Sequence, residues 1–406
     1  MSFFRSRMMK TKQLKFKMLL VKTYLPFALF LLSFSSCSKK RTNSRIVLNV
    51  QYKDEILAGR EDLKVHLITS SLPGLSVSVS VDGETVWSEG MGLANKELRV
   101  PAGPETKYRI GRTTHMFTAF LMAKLQEEGK LKMTDSFSAY IPEYPKKQWD
   151  FTLSQLGTYS AGFPEDAPAN LLKIKDTGSL KEYIKLYSTD SLAYPPDEYY
   201  AVSDYGISML GILAEDVTET RFSKLMKDLV LDTLGLTETV FDNTSMIIEN
   251  RAAPYYQNYI AQLINAPCID FQFCAPSLGL LSTADDLNKA GQAILKEGFF
   301  KQESLDLFFT RLVLKNGYET NRGFGWWMTT DRENRTIYMQ MGSTIGGSSM
   351  LMVYPEQKLV VSVCSNTADE TGSLPAPQIA DKFLARIDPR EKPENSPPAT
   401  GEKNEE

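Results

Sequence analysis

Between Leu75 and Val81 the chain alternates strictly: Leu75, Val77, Val79 and Val81 are apolar, with Ser76, Ser78 and Ser80 between them. Successive side chains of a strand point to opposite faces, so this period of two predicts a half-buried β-strand. Asp82-Gly83 follows, a pair suited to the left-handed backbone of a tight hairpin, and residues 85–92 read as the returning strand. Over residues 108–129 the pattern changes. Phe117, Phe120, Leu121 and Leu125 follow a small-residue turn, Ile110-Gly111, and Glu127-Glu128-Gly129 closes the segment, which predicts a long apolar helix. Residues 130–143 hold a short helix ended by Pro142. Further helices are expected over residues 206–217, over 222–234 with Gly235 as the stop, within 280–295 with Ser282 or Thr283 as the cap, and over 379–387. Residues 45–52, 336–341, 350–354 and 359–364 read as strands, and Gly323-Phe324-Gly325-Trp326-Trp327 opens the last series. Alternation sends one of Trp326 and Trp327 into the core and leaves the other for a cleft. The pattern implies an α/β chain of the α+β kind: helices on an antiparallel sheet built from both chain ends, with an all-helical insertion over about residues 130–300.

Composition adds a core and a leader. The 406 residues are 42% hydrophobic, enough for a large core. Residues 1–36 carry seven basic side chains and no acids, leaving 39 basic against 49 acidic side chains after them, a balance of −10. That balance argues against nucleic acid as a partner. The basic stretch leads into an apolar run from Tyr24 to Phe34, shorter than the roughly 20 residues of a bilayer span. It fits the apolar core of a secretion signal over residues 1–36. Phe34-Ser35-Ser36-Cys37 ends the run and looks like a bacterial lipoprotein cleavage and lipidation site; plain cleavage after a small residue is the other reading. A lipidated Cys37 anchors the chain to a membrane, with residues 37–44 as a polar tether. A folded domain then covers residues 45–388, and the proline- and charge-rich residues 389–406 form a disordered tail. The expected location is the bacterial cell envelope.

Cys268 and Cys274 are close enough in sequence to pair, and two buried thiols are the alternative. With only His66 and His115 in the chain, a His-rich zinc site is excluded, and no metal or cofactor is expected. Asp285-Asp286 fits the first turn of a helix rather than a cation site.

The order of several short motifs carries a resemblance. LPGLSVSVSVDG, YRIGRTTHMFTAFLMAKLQEEG, EEGKLKMTDSFSAYIP, GLLSTADDL, GFGW and SSMLMVYPE follow one another across residues 72–387. Together they resemble the serine β-lactamase and penicillin-binding protein family, in the branch holding class C enzymes and related esterases. The resemblance implies an acylated serine, a lysine beside it, a tyrosine or serine shuttling the proton, a basic or polar residue on an edge strand and an oxyanion hole of two backbone N–H groups. Matched position by position, the chemistry is missing. Arg112 stands at the serine and His115 at the lysine. Val202-Ser203-Asp204 replaces Tyr-x-Asn, with Val202 and Asp204 at the functional places. A one-residue slip giving Ser203-Asp204-Tyr205 breaks the Gly206 register. On the edge strand Gln340-Met341-Gly342 replaces His- or Lys-x-Gly, and Gly342 leaves room for close ligand approach. The implied oxyanion donors are the N–H groups of Arg112 and Ser343. In the family's Leu-Leu-x-His-x-Ser-Gly loop, Tyr159 and Ala161 replace the histidine and the serine.

An arginine is permanently charged and only donates hydrogen bonds, so it accepts no acyl group. Two readings of Arg112 follow. It forms an anion site with the helix N-terminus, of the kind that takes a peptidoglycan-derived or other carboxylate ligand through Arg112, Asp204, Gln340 and Ser343. Alternatively it pairs with Asp204 and plugs the cleft. The expectation is a hydrolase homologue without acyl transfer, against the alternative of an active esterase, amidase or β-lactamase using another nucleophile.

Overall fold

The computed structural model describes residues 46–165, 179–258, 260, 262–369 and 373–390. The expected signal, Cys37 with its tether, and tail residues 391–406 lie outside them. Nine strands form the main sheet: β1 (Val47–Leu48), β2 (Gly74–Val81), β3 (Glu84–Asn95), β4 (Val100–Pro101), β5 (Arg322–Gly323), β6 (Trp326–Thr330), β7 (Thr336–Thr344), β8 (Gly347–Tyr354) and β9 (Leu359–Ser365). All pairs are antiparallel, in the order β1-β3-β2-β9-β8-β7-β6-β5, with β4 beside β3. The sheet is therefore built from both chain ends, closed by the central β2–β9 pair. At the β2–β3 turn Asp82 and Gly83 have φ of 51° and 82°, the left-handed values that a two-residue hairpin of this hand requires.

One face of the sheet carries α1 (Lys53–Thr69) and α5 (Ala376–Ile387) over Val77, Val79, Met350, Met352 and Val361. The other carries α2 (Thr114–Glu127), α3 (Asp204–Thr218) and α4 (Ala284–Ala293) over Leu351, Val353 and Val360. Strand β8 shows how period two supplies both cores, with even-numbered Met350 and Met352 on one side and odd-numbered Leu351 and Val353 on the other.

Strand β2 is buried along its whole length, so its serine side is not the solvent side that alternation predicts. Helix α4 lies on it. Gly291 comes so near the sheet that an added Cβ would be 2.8 Å from Val360, and Asn288 Nδ2 donates to the carbonyls of Ser78 and Val360. Small side chains make the seat for this helix. A second correction concerns residues 45–52. Only Val47–Leu48 is strand, and the chain then enters α1, where Gly59 fits against the Trp87 ring. The insertion is also not all helical: Tyr108–Arg109, Leu280–Ser282 and Val240–Phe241 form a three-stranded sheet, and Tyr255–Gln257 pairs with Leu263–Asn265. Thr283 caps α4 by accepting from the Asp286 N–H. Cys268 is a free, exposed thiol, so it is neither paired with Cys274 nor buried, while Cys274 and Cys364 are buried. No helix among the described residues is long and apolar enough to cross a membrane.

Candidate functional site

Helix α2 is buried on nearly every side, from Thr114 to Ala123, which is why its sequence is apolar all round. Its aromatic residues anchor it: the Phe120 ring centre lies 4.8 Å from Phe300, 5.5 Å from Phe308 and 6.1 Å from Trp326. A 3-10 turn, Gly111–Thr113, leads into it. Gly111 has φ of 55°, and a Cβ there would sit 2.6 Å from the Ser343 backbone. From the strand side, a Cβ on Gly342 would meet the Ile110 carbonyl oxygen at 2.0 Å and the Thr113 nitrogen at 2.5 Å. The two glycines let the helix start press onto β7. The close approach expected at Gly342 is therefore made by the chain's own backbone rather than left open for a ligand.

The start of α3 faces the start of α2. Ser203 caps α3 by accepting from the Gly206 N–H at 3.2 Å, so its hydroxyl is a structural acceptor. Asp204 is the first helical residue and is 2% exposed. A carboxylate at a helix N-terminus meets the positive end of the helix dipole. Arg112 Nε and Nη2 donate to it at 3.3 Å. His115 Nε2 lies 3.0 Å from Asp204 Oδ1, and His115 Nδ1 lies 3.0 Å from the Tyr159 hydroxyl. Four residues from three segments thus form one hydrogen-bonded chain, buried except at its half-exposed Arg112 end: Arg112, Asp204, His115, Tyr159. The sequence reading expected Arg112 to pair with Asp204 and plug the cleft; the geometry makes the pair but leaves a cavity beside Arg112. The sequence held no signal for Tyr159 as the partner of His115.

The charge state of this chain follows from its surroundings. Burial alone would raise the Asp204 pKa, but the Arg112 charge and the His115 hydrogen bond outweigh it and hold the carboxyl at about 2. Burial pushes the His115 pKa below its usual value, against the pull of Asp204. Burial likewise raises Tyr159 to about 12, tempered by Arg322 and Arg112. At neutral pH, Asp204 is ionised and can only accept, so the neutral imidazole donates through Nε2–H. Its Nδ1 then accepts from the Tyr159 O–H. Both ring nitrogens are committed: the one lone pair of His115 faces the Tyr159 hydroxyl, whose own proton burial holds firmly. Tyr159 holds this place with φ of 65°, a conformation that bulky side chains seldom adopt.

A cavity of about 280 Å³ opens above this chain, lined by Arg112, His115, Tyr159, Val202, Gln340, Gly342 and Ser343. Most positions matched by the sequence reading therefore border it, while Ala161, Ser203 and Asp204 do not. Val202 offers only a hydrocarbon face. The Gln340 amide donates to the Gly325 carbonyl, which ties β7 to the loop before β6. The hydroxyls on the wall are engaged. Ser343 accepts from the Asp369 N–H at 3.1 Å, Ser348 donates to the Thr367 carbonyl at 2.8 Å, and Ser349 donates to the Ile110 carbonyl at 2.8 Å. Trp326 is core and Trp327 lines the cavity, the division that strand alternation predicts. Glu165, Arg322 and Asp369 also reach the wall, and sequence reasoning missed all three. Among the described residues no grouping of His, Cys, Asp or Glu fits a metal ion. The arrangement holds charge and shape, with Arg112 rather than a hydroxyl at the head of α2.

Comparison with known proteins agrees with this architecture. A family model described as Beta-lactamase matches residues 58–384. Serine beta-lactamase-like protein LACTB, mitochondrial, of Homo sapiens is 24% identical over 380 residues, covering 70% of this chain and 69% of the relative. The octameric penicillin-binding protein homologue from Pyrococcus abyssi superposes with a TM-score of 0.69 at 24% identity, over 80% of this chain and 76% of that one. A class C beta-lactamase gives a TM-score of 0.69 at 18% identity, over 84% and 99% of the two chains. Likeness at these identities concerns the fold.

Proposed function

Since the chain belongs to the beta-lactamase family, we propose that it is a member without acyl transfer, whose cleft binds a ligand or partner instead. One observation carries this reading. The residue at the head of the buried helix is Arg112, held by Asp204, and the nearest imidazole is neutral with both nitrogens engaged. The hydroxyl in contact with that imidazole is Tyr159, buried and with its pKa pushed up to about 12, which makes it a poor nucleophile for acyl transfer. Backbone donors left over from an oxyanion hole bind but supply little turnover. A carboxylate-bearing ligand, such as a cell-wall peptide, is the proposed occupant.

The test is turnover. Purified protein incubated with a chromogenic cephalosporin and with p-nitrophenyl esters should release no product above the buffer rate. Release that disappears on replacing Ser343, Ser348 or Ser349 would favour an active serine-type hydrolase.

Placement in the bacterial cell envelope is part of the same proposal. It is supported by the basic leader, the apolar run and Cys37 behind two serines. Expressed in a bacterium, the wild type should fractionate with membranes and Cys37→Ser should be soluble. A Cys37→Ser protein that stays with the membrane would contradict anchoring through this residue.

A further inference from the structure

Exposed apolar side chains gather at one edge of the main sheet. β1 pairs with β3 at Trp87 and Ser88, and β4 pairs with β3 at Leu93 and Asn95, so the two short strands together form that edge. Ile46, Leu48 and Val100 are exposed along it. Leu48 stands opposite Trp87, whose ring is covered by Gly59 of α1, so Leu48 and the helix share one side of the sheet. On α1, Glu55 and Asp62 face α5, where Arg386 and Lys382 pair with them. Leu57 and Ile68 are eleven residues apart, within about 20° of each other round the helix. They turn away from α5, towards the flank where Arg60 meets Glu89 of β3. The loop between β3 and β4 carries Leu98, 75% exposed, with Lys96 and Arg99 exposed on either side. Glu97 accepts from the Tyr255 hydroxyl, and Glu61 of the α1 stripe is paired with Lys64. The edge thus shows a hydrocarbon rim with basic charge at the loop, and an exposed apolar surface rimmed by polar groups marks a contact surface.

We propose that this edge is a docking surface for an anionic lipid bilayer, with Leu48, Leu57, Ile68 and Leu98 at the acyl boundary and Lys96 and Arg99 among the headgroups. The chain leading to the edge argues for that occupant over a second protein. Nine residues separate Cys37 from Ile46, a reach of at most about 32 Å, so a lipid on Cys37 keeps the β1 edge within that distance of the bilayer. The residues between include Lys39, Lys40, Arg41 and Arg45 and no acid. Each basic side chain near anionic lipid adds to the attraction, and the apolar side chains add burial. The chain after residue 45 is acidic overall, so an anionic surface turns its other faces away. Without a lipid the contact is weak and reversible, and it does not hold the protein through washing of a membrane fraction. The lipid supplies the hold and the edge supplies the orientation. The inference goes beyond the reading of the cleft and rests on the envelope placement proposed above.

The experiment uses the chain from residue 37 with Cys37→Ser, since the apolar leader would itself enter lipid. Both faces of the sheet and their covering helices lie beyond residue 45, so this chain keeps the fold. It is co-sedimented with excess vesicles of phosphatidylcholine, alone or with one third phosphatidylglycerol. Partition onto the anionic vesicles should exceed that onto neutral ones at least about tenfold and fall at high salt. Leu98→Asp with Ile68→Asp should weaken it about tenfold or more at an unchanged melting temperature, both side chains being exposed. Lys96→Glu with Arg99→Glu should weaken it as well, and serves as the test if the apolar variant fails to fold. Tyr318→Asp, in the turn before β5 at the opposite edge, should partition as the unsubstituted edge does. Undiminished partition in both variants of this edge would assign the binding to the basic tether alone and overturn the proposal. Equal partition onto neutral and anionic vesicles would overturn it too. So would a dimer that binds no vesicles and that Leu98→Asp with Ile68→Asp makes monomeric, which would assign the edge to a second copy. Failure of the anchoring reading shows separately, as full-length protein whose mass carries no acyl chains at Cys37.

Discussion

Arg112→Ala should destabilise the protein by about 3–5 kcal/mol at pH 7, because it strands the Asp204 carboxylate in the interior. Asp204 is 2% exposed, so its carboxylate depends on Arg112 and His115 rather than on solvent for its partners. His115 alone cannot compensate, since burial keeps it neutral. The remedy is to remove the charge: Arg112→Ala with Asp204→Asn should recover most of the loss, the amide being neutral and similar in shape. The pH dependence has a defined sign. In the wild type the Asp204 pKa is depressed to about 2, so its contribution is full above the unfolded carboxylate value and is lost as pH falls towards 2. Without Arg112, burial raises the folded pKa above the unfolded value, and the folded state takes up a proton more readily than the unfolded state. The gap between wild type and Arg112→Ala should therefore be widest at neutral pH and narrow as pH falls through the carboxylate range. Urea midpoints at pH 7 and pH 4 measure it. A double variant as unstable as the single one would show that the buried charge is not the source of the loss.

Gly342→Ala should cost about 3 kcal/mol, the upper part of the range for overpacking a filled site. The added methyl group would lie 2.0 Å from the Ile110 carbonyl and 2.5 Å from the Thr113 nitrogen. Both obstacles are backbone, so no side chain can swing aside. The head of α2 must lift from β7, and the Ser349 bond to Ile110 goes with it. Gly206 supplies the contrast. It lies inside α3, and a Cβ there meets nothing nearer than 3.6 Å. Gly206→Ala should be neutral or stabilise by up to about 1 kcal/mol, because alanine is the better helix former. Denaturant midpoints at constant slope distinguish the two, and a Gly342→Ala protein as stable as wild type would contradict the tight seat of helix on strand.

The strands were legible because alternation in β2 and β8 is written in apolar residues that any local reading can find. What alternation does not tell is what covers each side. Ser76, Ser78 and Ser80 look like a solvent face, yet α4 sits on them from about 210 residues away in sequence. Helix α1 escaped notice for the opposite reason. It buries only Ile56, Gly59 and Leu63 and exposes Leu57, Val65 and Ile68, so its apolar spacing is blurred. In the site, the residues found were those that sit at motif positions: Arg112, His115, Val202, Asp204, Gln340 and Gly342. Their charges even gave the Arg112–Asp204 pair, since opposite signs at facing positions compensate. Arg322 and Tyr159 stayed hidden because strand register, with Arg322 across from Trp327, and a left-handed turn bring them to the cleft. The one available signal for Arg322 was its position a few residues before Trp327 in a strand series.

Intact-mass spectrometry reads whether the cleft takes up an acyl group. The protein is incubated with excess penicillin and with a fluorophosphonate, then weighed across pH 6 to 9. The mass should stay unmodified throughout, in the wild type and in Arg112→Ala alike. A stable adduct of one acyl or phosphonyl group, abolished by replacing a single serine, threonine or tyrosine of the cleft, would contradict it.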